Sequence, residues 1–149
     1  MTDAEAGSPF AAFGEHARRA LVFARLAAIR RGGAGLDDVD LLLGVLQAQP
    51  QAIVRFVEST LWTAALIETR LEALTSPGPS VPVESEVPFS PAAVRAITVA
   101  AGRQRSPGHD LVPEHLVWAL MDDPATPVVR LLAEAGVTRA AIEAFLDQP

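Results

Sequence analysis

The feature that most limits what this chain can fold into is that it repeats itself. Laid against itself at a shift of 76, Phe13, Ala17, Arg19, Ala20, Ala24 and Gly32 fall on Phe89, Ala93, Arg95, Ala96, Ala100 and Gly108. One deletion changes the shift to 75. Leu36, Leu41, Val54, Arg55, Thr63, Ala65, Ile67, Glu68 and Leu71 then fall on Leu111, Leu116, Val129, Arg130, Thr138, Ala140, Ile142, Glu143 and Leu146. Nine identities in an ungapped run of 36 residues, with mostly apolar replacements between them, mark a duplication and not chance periodicity. Two copies are too few for a solenoid but suffice for two bundles related by a pseudo-twofold axis.

Each copy reads as helices. In the first, Ala17, Ala20, Leu21, Ala24 and Ala28 form one stripe and predict a helix over 14–31, ended by Gly32, Gly33 and Gly35. Further helices are expected over 38–47, 51–60 and 63–74, with Pro50 separating the second from the third and Thr63 as an N-cap. The second copy is better punctuated. Ser90-Pro91 is an N-cap followed by Pro at the first helical position, Pro113 and Pro127 open the next two helices, Gly136 supplies a left-handed cap, and Thr138 begins the last. Between the copies, four prolines among residues 75–88 exclude helix and favour an extended linker. No alternating run of β-branched residues argues for a sheet. The expected architecture is therefore all-α: two tandem four-helix repeats, eight helices, packed with pseudo-twofold symmetry. Its parts are a flexible N-terminus over 1–9, a first repeat over 10–74, the Pro-rich linker over 75–88 and a second repeat over 89–147, making one double-repeat domain.

Composition narrows the chemistry. The chain has no Cys, which closes off disulfides, thiolate nucleophiles and zinc knuckles. It has no Lys either, since all 12 cations are Arg, so neither a P-loop nor a Schiff base can be built. A net charge of −6 repels phosphate backbones, and nucleic acid is not an expected partner. The pairs Arg18/Arg19 and Arg30/Arg31 read as solvated surface charges. No run of 18 uncharged apolar residues exists, which argues against a membrane span, and the first nine residues lack the basic start and apolar stretch of a secretory signal, which predicts a cytoplasmic location. His109, Asp110, Glu114 and His115 are metal-ligand types without metal-ligand spacing, so no metal and no cofactor are expected. No Gly-x-Ser-x-Gly elbow supports hydrolase chemistry, and no enzymatic activity is expected. Asp37, Asp38 and Asp40 read as capping and solubility, His115 as a helix-packing residue, and Trp62 and Trp118 as core.

In the second copy, Phe89-Ser90-Pro91-Ala92-Ala93-Val94-Arg95-Ala96 is followed by Gly108-His109-Asp110-Leu111-Val112-Pro113-Glu114-His115-Leu116-Val117-Trp118-Ala119-Leu120, and then by Val129-Arg130-Leu131-Leu132-Ala133-Glu134-Ala135-Gly136-Val137. This resembles the N-terminal repeat domain of the Clp ATPases, of the ClpA and ClpC type. The likeness spans about residues 10–147. It implies an eight-helix, non-catalytic module that binds substrate and adaptor segments for an unfoldase. In the ClpC branch it further implies a reader of phosphorylated arginine: a Glu of the Glu-His motif takes the guanidinium, and a Ser or Thr with free amides at a helix start takes the phosphate.

Carried onto this sequence, the resemblance places a site at Ser90 and Glu114, with Phe89 and Phe13 as hydrophobic staples and apolar walls of a peptide groove. The first repeat has Gly14 in place of the hydroxyl and Val39-Asp40 in place of Glu-His, so its site is expected to be lost. Because the chain ends at Pro149, a stand-alone copy of the module is expected, acting as adaptor or decoy for Clp proteolysis. The alternatives are a regulatory partner that docks on a Clp ATPase or another folded protein through a helix face, and a protein that sequesters cyclic-peptide antibiotics.

Overall fold

The computed structural model describes residues 9–32, 35–75, 78–82, 86–104 and 110–148. Nearly all of the expected flexible N-terminus, Gly33, parts of the linker and the Gly108-His109 pair lie outside the described residues. Among those described there are eight α-helices: α1 (Glu15–Arg30), α2 (Asp38–Ala48), α3 (Gln51–Val54), α4 (Ala64–Glu72), α5 (Pro91–Ala101), α6 (Pro113–Leu120), α7 (Pro127–Glu134) and α8 (Arg139–Leu146). A 3₁₀ turn, Pro9–Ala12, precedes α1. The helix starts of the first repeat, shifted by 75 or 76, fall on or within one residue of those of the second, as a duplication requires.

The helix starts follow from the capping residues. The side chains of Thr63, Ser90, Thr126 and Thr138 each accept the amide N–H three residues on, at 3.1–3.3 Å. Gly136 takes φ +87° and ends α7 as expected. The exception is α3, expected to reach residue 60 but only one turn long. Beyond Val54, the Phe56 and Val57 amides reach back three residues, to Ile53 and Val54 carbonyls at 3.1 Å, and this tightening terminates the helix.

The linker has a structural task. The last carbonyls of a helix lack intrahelical donors. Here Val81 N–H donates to Ile29 O (3.2 Å), Ser80 Oγ to Arg30 O (2.9 Å) and Gly78 N–H to Arg31 O (2.8 Å). The chain thus folds back over the end of α1 before entering the second repeat.

The core is built on the small face of α1. Ala17, Ala20, Ala24, Ala27 and Ala28 are buried against α2, whose Gly44 lies directly on the α1 backbone. A Cβ at Gly44 would stand 2.2 Å from Ala20 O and 2.6 Å from Ala24 N, so only glycine permits this crossing. Leu41, Leu42, Val45, Leu116, Val117, Leu132 and Ile142 complete a single buried cluster shared by both repeats.

The repeats are joined by an exchanged seam. Phe13, just before α1, forms a parallel bridge with Leu111, just before α6, while Leu36, just before α2, forms one with Phe89, just before α5. Four backbone hydrogen bonds close it in two equivalent pairs. Gly14 N–H donates to Leu111 O (3.0 Å) as Ser90 N–H does to Leu36 O (2.9 Å), and Leu111 N–H donates to Ala12 O (2.9 Å) as Leu36 N–H does to Pro88 O (2.7 Å). This equivalence is the pseudo-twofold symmetry expressed in individual bonds.

One charge is fully inside. Asp40 has no exposed surface and is held by Arg31, whose Nε donates to Oδ1 at 2.9 Å and whose Nη2 donates to Oδ2. Asp40 Oδ2 also accepts Asp37 N–H at 2.9 Å, closing a capping box. Asp40 caps α2 as its place at the helix start predicts, but neither it nor Arg31 is the solvated surface charge also expected, because the end of α1 and the start of α2 bring the two together with Asp40 fully buried. The hydrogen bonds to Asp40 hold the Arg31 pKa above its ordinary value.

Two outcomes follow for stability. Gly44→Ala forces α1 and α2 apart and lowers unfolding free energy by about 1–3 kcal/mol in urea titration, whereas Gly102→Ala, with no atom nearer than 3.4 Å to the added Cβ, changes it by less than about 0.5 kcal/mol. Arg31→Met leaves Asp40 buried and unpaired and costs roughly 3 kcal/mol in the same measurement.

Candidate functional site

The seam sets the start of each repeat's first helix against the start of the other repeat's second helix. This makes two corners. One combines the starts of α5 and α2, the other the starts of α1 and α6.

At the first corner, Ser90 Oγ accepts Ala93 N–H at 3.2 Å and donates to Asp37 Oδ1 at 2.8 Å. The hydroxyl proton is therefore committed, and its acceptor is an acid of the first repeat. Asp38 stands beside it with its pKa raised by burial, reinforced by the neighbouring Asp37 charge. Val39, buried and apolar, occupies the position that corresponds to Glu114. A phosphate at this helix start would meet two carboxyl groups and find no free hydroxyl.

The second corner differs in its hydroxyl and its buried acid, though it too has a carboxyl at its helix start: Asp110 borders the space a Cβ at Gly14 would take, with its Cβ at 3.0 Å and Oδ2 at 3.6 Å. Its helix start, Gly14, gives α1 no side-chain cap, so the amides of the first turn are not claimed by one. Across the seam, α6 carries Glu114 in its first turn, only 2% exposed. One carboxylate oxygen, Oε1, is buried without a hydrogen-bond partner. The other, Oε2, lies 3.7 Å from Arg55 Nη2. The Arg55 guanidinium also lies over the Phe145 ring, 4.6 Å from its centroid, and its Nε donates to Gln51 O at 2.9 Å. Phe145 in turn meets Phe56 edge-on at 5.7 Å.

Of the residues expected to form one pocket, Phe89 and Ser90 share the first corner and Phe13 and Glu114 belong to the second. Helices α5 and α6 run antiparallel: Ala92, Arg95 and Ala96 of α5 share a small cavity with Ala119 and Leu120 at the end of α6, and Arg95 reaches Asp123 at 3.7 Å. Glu114 lies at the other end, roughly 9 Å along the axis from Leu120 at 1.5 Å per residue. Phe13 is 2% exposed and belongs to the core, while Phe89 is half-buried against it. The apolar walls expected of Phe13 are thus turned inward, because the bridge to Leu111 draws it under the seam.

Other residues take roles that spacing alone did not show. His115 Nδ1 accepts Val112 N–H at 2.9 Å, the same back-reaching cap that Asp40 makes at the equivalent position, and this fixes the proton on Nε2 if the ring is neutral. Trp118 and Trp62 are half-buried platforms and not core residues. Arg103 and Arg139 lie over Trp118 at 4.7 and 4.2 Å, and Arg70 over Trp62 at 5.4 Å. Arg55 and Phe145 were absent from the expected site, although Arg55 is one of the identities of the repeat. Among the described residues no cluster of His, Asp and Glu is arranged to hold a metal ion, and no helix is long and apolar enough to cross a membrane.

No protein-family model and no curated protein matches the chain. Solved structures do. A structure described under preliminary structural investigations of a malarial protein secretion system superposes with a TM-score of 0.74 at 17% identity, covering 91% of this chain and 92% of that one. The N-terminal domain of the caseinolytic protease associated chaperone ClpD from Arabidopsis thaliana gives 0.66 at 21% identity, over 93% and 94%. The Hsp104 N-terminal domain from Candida albicans gives 0.67 at 19% identity, over 89% and 87%. At such identities the likeness is one of architecture, and the eight helices of this chain have the fold of a Clp N-terminal domain.

Proposed function

We propose that this chain is a non-enzymatic protein- and peptide-binding module of the Clp N-domain type, taking substrate or adaptor segments and serving as adaptor or decoy for Clp proteolysis. The observation that carries this reading is the second corner, where α1 begins without a side-chain cap and the first turn of α6, joined to it through the Phe13–Leu111 bridge, carries a buried carboxylate with an unpartnered oxygen. An anion suits the amides and positive dipole end of α1, and a cationic fork suits Glu114. An arginine bearing a phosphoryl group offers both charges on one side chain, so phosphoarginine is the ligand proposed for this corner. The first corner supports no second site, because Ser90 is bonded to Asp37 and the carboxylate position holds Val39.

A second reading is favoured by the exposed apolar side chains Val22 on α1 and Val94 on α5, which would suit docking of a helix face on a folded partner such as a Clp ATPase. Capture of that ATPase in the absence of substrate would favour it.

Calorimetry with free phosphoarginine is expected to give one site per chain. Charge-assisted hydrogen bonds contribute roughly 1.5–3 kcal/mol each, so Glu114→Ala should weaken binding by about tenfold or more while Ser90→Ala leaves it within about twofold. Two equal sites, or binding that depends on Ser90 and not on Glu114, would overturn the assignment.

A further inference from the structure

We infer that the junction of α3, α6 and α8 is an arginine receptor which the chain fills with its own Arg55, and that an arginine of a bound segment takes this place by displacing it. The inference deepens the proposed function and rests on it only for the identity of the bound segment.

The contrast between two ion pairs carries the argument. Arg31 and Asp40 form a closed structural pair: both carboxylate oxygens accept from the guanidinium, and one also accepts a backbone N–H. Glu114 is almost as deeply buried, yet it receives only one contact, at 3.7 Å, beyond hydrogen-bond length, and its Oε1 receives none. Buried carboxylates are ordinarily hydrogen-bonded, and burial without pairing is unfavourable. This pocket has therefore met the cost of desolvation without completing the interaction that offsets it.

What surrounds the loose contact has the shape and polarity of a guanidinium site. The carboxylate lies to one side, the Phe145 ring supports the plane from below at 4.6 Å, and Phe56 backs that ring. Arg55 is held only lightly there. Its side chain is 36% exposed, its one hydrogen bond among the described residues runs from Nε to Gln51 O at the preceding turn, and Nη2 meets Glu114 only at 3.7 Å. Arg55 is thus both the cover of Glu114 and a competitor for it. A ligand arginine approaching with better alignment can engage both oxygens, and the apparent affinity of the free chain is reduced by the fraction of molecules in which Arg55 occupies the place.

The test is chemical rescue with methylguanidinium, a guanidinium group without a peptide. Arg55→Ala empties the receptor. Low millimolar methylguanidinium chloride is expected to raise the melting temperature of Arg55→Ala, to do so much less for the wild type, and to have no effect on Arg55→Ala/Glu114→Gln, each measured against equal sodium chloride. Arg55→Gln keeps an aliphatic stem over Phe145 without the charge and carries the same test if the alanine variant does not fold. Equal shifts in wild type and variant, no shift in either single variant, or a shift that survives Glu114→Gln would each overturn the inference. The outcome is separate from that for phosphoarginine: rescue without phosphoarginine binding leaves the receptor standing and removes the ligand, while phosphoarginine binding unchanged by Arg55→Ala removes the displacement and leaves the functional reading.

Discussion

The structure depends on the two parallel bridges that exchange backbone hydrogen bonds between the repeats. Each hydrogen bond contributes only about 1 kcal/mol net, but their positions matter more than their sum. They lie immediately before α1, α2, α5 and α6, so they fix where four helices begin and which helix starts face each other. Any site built from these four helix starts is consequently shared between repeats. A change at one position alters a corner whose other half is encoded some 75 residues away.

That sharing explains how two nearly symmetric lobes come to have unlike corners. At the position of Glu114 the first repeat has Val39, and at the position of His115 it has Asp40. The back-reaching cap survives the second exchange, since a carboxylate oxygen and an imidazole nitrogen can both accept the same backbone N–H. The exchange does change the charge: Asp40 brings a buried anion, which Arg31 neutralises. Substitution of Ser90 for Gly14 acts at the opposite pole. The serine caps its own helix and ties it to Asp37, whereas α1 begins at Gly14 without a side-chain cap.

Much of this was legible in the sequence because the responsible signals are local or periodic. The duplication, the alanine stripe of α1, the prolines at the first positions of α5, α6 and α7, and the threonine caps each act through near neighbours along the chain, and the helices begin where those residues place them. The shortness of α3 was not legible, since it follows from hydrogen bonds that shift from four residues back to three. Nor was the separation of Ser90 from Glu114. The motif lists them within one repeat, but an antiparallel α5–α6 pair puts their helix starts at opposite ends, and the seam pairs each with the other lobe. Long-range pairings such as Arg31 with Asp40, or Arg55 with Glu114, leave no mark on periodicity at all.

The absence of lysine takes on a meaning in this setting. A lysine ammonium is a compact, strongly hydrated charge, whereas a guanidinium is planar, weakly hydrated and able to lie on a ring. Arg55 on Phe145, Arg70 on Trp62, and Arg103 and Arg139 on Trp118 all use that property, and it is what allows the aromatic rings to remain half-exposed without forming a bare apolar patch. A molecule covered in its own arginines can recognise a foreign one only where its own are held less well than the newcomer would be. Arg103 is tied to Glu143 and Asp147, Arg139 to Asp122 and the Trp118 carbonyl, and Arg31 to Asp40. Of the two arginines that face a buried acid, Arg55 makes the weaker claim on its carboxylate, and under the proposed displacement selectivity for an incoming side chain would arise from that difference in fit and not from any excess of negative charge.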